Sequence, residues 1–172
     1  MHTGIDSFLG RAMSPDHSNP LQNPSGRKFF TIDEANATLP LVRAITADLV
    51  ELSRHVIERR ERLNLLTAGR EARSDDPYSQ ELAQVKQEIE QDIDRLQEYV
   101  GELRQIGVEP KNPAEGILDF PSKLEGRVVF LCWKFGEPEV LHWHEVDAGF
   151  AGRQPIFAQV ASPGAYDESD TS

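Results

Sequence analysis

The chain holds one cysteine, Cys132, among 172 residues, which excludes an intrachain disulfide and fits a reducing compartment. No run approaches the ~18 apolar residues that a membrane-spanning helix needs, and the mean hydropathy is -0.49. A membrane is therefore not an expected partner. Basic residues are scarce: 18 Lys and Arg stand against 29 Asp and Glu, for a net charge of -11. A phosphate backbone is repelled by such a surface, so nucleic acid is not an expected partner either. No basic segment leads into an apolar stretch near residue 1, so no secretory signal is read and a cytoplasmic location is expected. Neither G-x-x-x-x-G-K-[ST] nor G-x-G-x-x-G stands between a strand and a helix, which leaves a nucleotide fold unsupported.

What is present divides into tails and one domain. Residues 1–26 carry Pro15, Pro20 and Pro24 with few large apolar residues, and residues 158–172 are small and acidic. Both read as disordered tails, because neither can bury enough to offset its ordering entropy. A charge of -1 falls in the first tail and -3 in the last, so -7 belongs to residues 27–157. The acidity is a property of the single α+β domain expected there.

Its first part, residues 38–106, reads as a helical hairpin. Thr31-Ile32-Asp33-Glu34 has the form of a capping box after the strand-like Lys28-Phe29-Phe30. Pro40 follows within about two turns, where an interior proline costs roughly 3 kcal/mol. The spacing therefore predicts a short helix to about Ala37 and a new one with Pro40 in its first turn. From there Val42, Ile45, Leu49, Leu52, Val56, Arg59, Leu63 and Leu66 step by threes and fours, a heptad seam with one charged member. A second seam runs Leu82, Val85, Ile89, Ile93, Leu96, Val100 and Leu103. The turn residues between 67 and 77 make the two helices antiparallel partners. Residues 40–67 hold five Arg against four acids, and residues 79–106 three bases against seven acids. Arg59, Arg60 and Arg62 are expected to pair with acids of the second helix on a solvated face.

After Gly107 the helical period stops. Ile117-Leu118-Asp119-Phe120 reads as a short strand closed by Pro121. Arg127–Lys134 is β-branched and aromatic on both faces and reads as a central strand. Phe135-Gly136-Glu137-Pro138 is a turn, Glu139–Val146 returns, and the Gly-rich stretch 147–155 reads as a structured loop. The expected fold is a long antiparallel helical hairpin packed with a three-stranded antiparallel sheet over residues 107–157.

The stretch Leu131-Cys132-Trp133…Gly136-Glu137…Trp143-His144-Glu145…Gly149-Phe150-Ala151-Gly152-Arg153, after a charged hairpin opened by Phe30-Thr31…Glu34-Ala35-Asn36…Leu39-Pro40, resembles a bacterial family catalogued as a domain of unknown function. The resemblance covers residues 28–157. It implies a bacterial cytosolic protein with the same α+β domain, and no assigned reaction. His142 is not part of the motif.

The chemistry-bearing residues crowd into this β region. His142-x-His144 on a strand puts both imidazoles on one face, a spacing that metal sites use, and Cys132 could be a third ligand for a transition metal such as zinc, with Glu145 or Asp147 nearby; histidines beside tryptophans are more often packed and hydrogen-bonded. An odd turn sets Cys132 opposite His142 on that face; an even one turns the thiol away. Gly149–Arg153 can offer backbone N–H groups and a guanidinium to an anionic small ligand, in a pocket walled by Trp133 and Trp143 and lined by His144, Glu145 and Asp147. Equally, Arg153 can pair with Glu137, Glu145 or Asp147 inside a closed structure.

Two function classes follow. The preferred one is a non-catalytic interaction or ligand-binding domain, a homodimer through the hairpin, with no cofactor required. The other is a metal-dependent hydrolytic enzyme centred on His142, His144 and Glu145.

Overall fold

The computed structural model describes residues 27–68 and 77–158. The expected tails, apart from Ala158 at the end of a 3-10 turn, and most of the hairpin turn lie outside the described residues. Helix α1 (Ile32–Thr67) and helix α2 (Pro77–Ile106) precede five strands: β1 (Glu109–Asn112), β2 (Ile117–Leu124), β3 (Arg127–Lys134), β4 (His142–Glu145) and β5 (Gln154–Pro155). The strands form one antiparallel sheet in the order β1-β2-β3-β4-β5.

The capping box closes as the sequence implies. The Glu34 N–H donates to Thr31 Oγ1 at 3.1 Å, and the Thr31 N–H donates to Glu34 Oε2 at 2.8 Å. The break expected before Pro40 does not occur: α1 runs unbroken over 36 residues with Pro40 inside it. Pro40 sits on the exposed side, while Ala35, Leu39 and Val42 on either side of it are buried in the common core. That burial, at about 25 cal/mol per Å², offsets the lost helix bond and keeps both segments on one axis. At its far end α2 closes with the Val108 N–H on the Leu103 carbonyl and the Gly107 N–H on the Arg104 carbonyl, a Schellman motif.

The sheet has five strands where three were expected. Two of the additions are short edges, β1 and β5, without the alternating apolar pattern that marks a strand in sequence. The other correction is β2, which does not end at Pro121 but runs to Leu124. In a strand the N and O of one residue point to the same side. Pro121 O accepts the Phe30 N–H at 2.7 Å, on the side away from β3. The missing N–H of Pro121 therefore costs no bond to β3, and the proline is tolerated mid-strand. Glu125 and Gly126, both at positive φ (51° and 78°), then join β2 to β3 in a two-residue turn.

Alternation gives the sheet two unlike faces. Leu118, Phe120, Val129, Leu131, Trp133 and Trp143 join Leu39, Val42, Ile45, Leu49, Leu96 and Leu103 of the helices in one apolar core. Asp119, Phe130, Cys132, His142 and His144 occupy the opposite face. The loop between β3 and β4 is tied to α1: Asn36 Oδ1 accepts the Val140 N–H at 2.7 Å, and Arg43 Nη2 donates to the Pro138 carbonyl at 2.9 Å.

Along the hairpin the burial of the seam changes. Val42, Ile45, Leu49 and Val56, and Ile89, Ile93, Leu96 and Leu103, are buried. Beyond Val56 on α1 and before Ile89 on α2, no described residue is fully buried. Among the described residues no helix is long and apolar enough to cross a membrane.

Candidate functional site

The register decides which side chains meet. Cys132 is the Cα partner of Asp119 on one side and of His142 on the other, so the three form a row across β2, β3 and β4. His144 lies two residues further along β4, on the same face and diagonal to Cys132. The register is the one an odd turn produces, and it brings the thiol and both imidazoles to one side.

On that face Asp119, Cys132 and His144 converge. They are 2%, 0% and 2% exposed, and one ligand atom from each lies within 4.8 Å of the others. His144 Nε2 is 3.0 Å from Asp119 Oδ1. Its other nitrogen, Nδ1, is 2.7 Å from the Glu145 carbonyl oxygen. A carbonyl can only accept, so Nδ1 carries a proton. Burial pushes the Cys132 thiol up to about 12, with the neighbouring Asp119 carboxylate adding to the rise and Arg153 opposing it. At neutral pH the sulfur is a thiol and a poor nucleophile.

The loop after β4 returns over this face. Its guanidinium, from Arg153, stacks on Phe150 at 4.3 Å and lies 2.7 Å from Glu137 Oε1. The ion pair meets the distance but not the angle of a hydrogen bond, since Arg153 Nη1 is buried without one. Glu137 is held in turn by the Lys134 N–H on its Oε2 at 2.9 Å, and its carbonyl accepts the Trp133 Nε1–H at 3.0 Å. Phe130 packs beside His144 with ring centroids 5.6 Å apart. His142 keeps a buried Nδ1 that has no hydrogen-bond partner among the described residues.

The residues singled out in the sequence are thus sorted. His144, Cys132 and Arg153 come together, and His142 stands beside them. Trp133 and Trp143 sit on the helix-facing side, 0% and 3% exposed, in the core. The Glu145 carboxylate pairs with Arg127 at 2.6 Å, and only its carbonyl reaches His144. Asp147 is exposed. Asp119 was missed. Its signal was an acid between Leu118 and Phe120 in an apolar strand, which once buried demands a partner.

A helical hairpin laid on a meander sheet, with a closed polar cluster on the sheet's outer face, defines an α+β domain. The chain belongs to the uncharacterized conserved protein family DUF2203, which matches residues 28–156, three quarters of its length. No curated protein matches it. No solved structure matches it.

Proposed function

We propose that this is a non-catalytic interaction domain of the cytoplasm that docks through the outer half of its helical hairpin, onto a second copy of itself. The observation that carries the reading is the fading burial of the seam. Leu63, Leu82 and Val85 continue the apolar register of the buried residues yet stay half-exposed, and Leu65 and Leu66 are 79% and 46% exposed. Two helices alone cannot cover both sides of a seam; four can. Charge favours a second copy, because the exposed Arg62 on one hairpin complements the exposed Glu81, Glu88, Glu90 and Asp94 on another placed antiparallel. Burial argues against hydrolysis at His144, since a group 2% exposed offers no berth for a substrate.

Light scattering on the full chain tests the reading. We expect twice the 19.3 kDa chain mass at micromolar concentration. The double variant Leu65→Asp, Leu66→Asp should return the mass to that of one chain with an unchanged helical circular dichroism signal, and its melting temperature should no longer depend on protein concentration. A wild-type protein that stays monomeric throughout the micromolar range overturns the proposal.

A further inference from the structure

When the imidazole of His144 is neutral, its contact with Asp119 is between two groups that both present lone pairs. The Glu145 carbonyl then holds the single ring proton on Nδ1, and Nε2 faces Asp119 Oδ1 across 3.0 Å as an acceptor facing an acceptor. Such a contact requires a cation between or upon the two groups: a proton or a metal ion. A proton would be answered by the Asp–His pair alone. Here a third donor of metal-ligand type, Cys132, converges on the same point.

We propose that Asp119, Cys132 and His144 bind a divalent metal ion of the zinc class. The donor set is one carboxylate, one thiolate and one imidazole, which suits a borderline-soft ion. With metal–ligand bonds of about 2.0–2.3 Å, tetrahedral donors lie roughly 3.3–3.8 Å apart. The three donors here lie within 4.8 Å of one another, and His144 Nε2 and Asp119 Oδ1 are 3.0 Å apart. Side-chain adjustments of about 1 Å or less complete the geometry. The Nδ1–H bond to a backbone carbonyl is the outer contact that orients a metal-bound histidine. Carboxylate and thiolate balance the two charges of the ion; Arg153, which also acts on the Cys132 sulfur, has its own counter-charge in Glu137 at 2.7 Å. His142, the Cα partner of Cys132, has a buried Nδ1 that is unpartnered among the described residues, but it stands outside the group of three converging donors. All three ligands are buried, so the site is of the closed, structural kind and does not depend on what the hairpin docks.

The test uses the full chain without a histidine tag, stripped with a chelator and titrated with Co²⁺, both folded and during refolding so that burial cannot mask binding. We expect one equivalent to produce the thiolate-to-cobalt charge-transfer band and the visible bands of a tetrahedral ion. Zn²⁺ should displace it and raise the melting temperature. Cys132→Ser should abolish the charge-transfer band, and Asp119→Asn should weaken binding by about tenfold or more. Absence of the band in wild-type protein refolded with excess Co²⁺, or its persistence in Cys132→Ser, overturns the proposal and assigns the cluster to a shared proton.

Discussion

Asp119 on β2 and His144 on β4 meet at 3.0 Å by reaching across the intervening strand β3, and each is 2% exposed. Cys132 lies on the same face of β3, opposite Asp119 and diagonal to His144. One substitution at either end leaves the other buried without its partner.

Replacing His144 with Ala should destabilise the chelator-treated protein by about 3–5 kcal/mol, the usual cost of stranding one member of a buried pair. Asp119→Asn keeps the shape and an acceptor and should cost less, about 1–3 kcal/mol. Urea unfolding at neutral pH measures both. A loss below about 0.5 kcal/mol for His144→Ala would show that the pair contributes nothing to the fold.

In the chelator-treated protein the Cys132 thiol should be silent in the native state. Its folded value of about 12 lies above the ordinary 9.0, so folding favours the protonated form. The resulting stability is fully present below pH ~9 and is lost as pH rises from there toward 12. The difference in unfolding free energy between wild type and Cys132→Ser should therefore shrink between pH 8 and pH 10.5. A disulfide reagent should modify the thiol only on unfolding; complete reaction of folded protein within minutes at pH 8 would contradict the burial.

Gly116 and Gly126 offer a matched pair. Both have positive φ, 66° and 78°. A Cβ on Gly116 would lie 2.5 Å from the Phe135 Cβ and 3.0 Å from Val50 Cγ2, whereas one on Gly126 meets nothing within 4 Å. Gly126→Ala should cost only the left-handed backbone penalty, about 1–2 kcal/mol. Gly116→Ala adds overpacking and should cost about 2–4 kcal/mol. Equal losses would mean that the contact at Gly116 relaxes freely.

Arg59 and Asp92 bridge the two helices at 2.7 Å, with Arg59 48% exposed and Asp92 18%. Solvent screens such a pair, so Arg59→Ala should change stability by less than about 1 kcal/mol, and less again in high salt. A larger loss would show that Arg59 supports the hairpin by packing its stem over the seam.

The elements that formed as read are those whose cause is local. The capping box Thr31–Glu34 needs only two residues three apart. The seams of α1 and α2 need only a period, and β3 only a run of residues that are apolar on both sides. Their energies come from neighbours in the chain or from a face that any core will cover. The same local logic failed at Pro40 and Pro121. Each proline breaks a pattern by itself and is accommodated by something distant: the sheet beneath α1, and the Phe30 N–H beside β2.

Residue order alone sets a charged helical hairpin before a compact β region and places Cys132, His142, His144 and Arg153 within one short stretch. Which of them meet depends on how the strands pair. The period of a strand is two, so the register of β3 on β4 either gathers the thiol and imidazoles or parts them, and that register depends on a turn whose length the residues leave open. Asp119 entered the cluster for the same reason. It lies 25 residues from His144, with no local contact to announce it. Its partner was chosen by the pairing of three strands, which fixes distance and direction together, and burial then made the partnership obligatory.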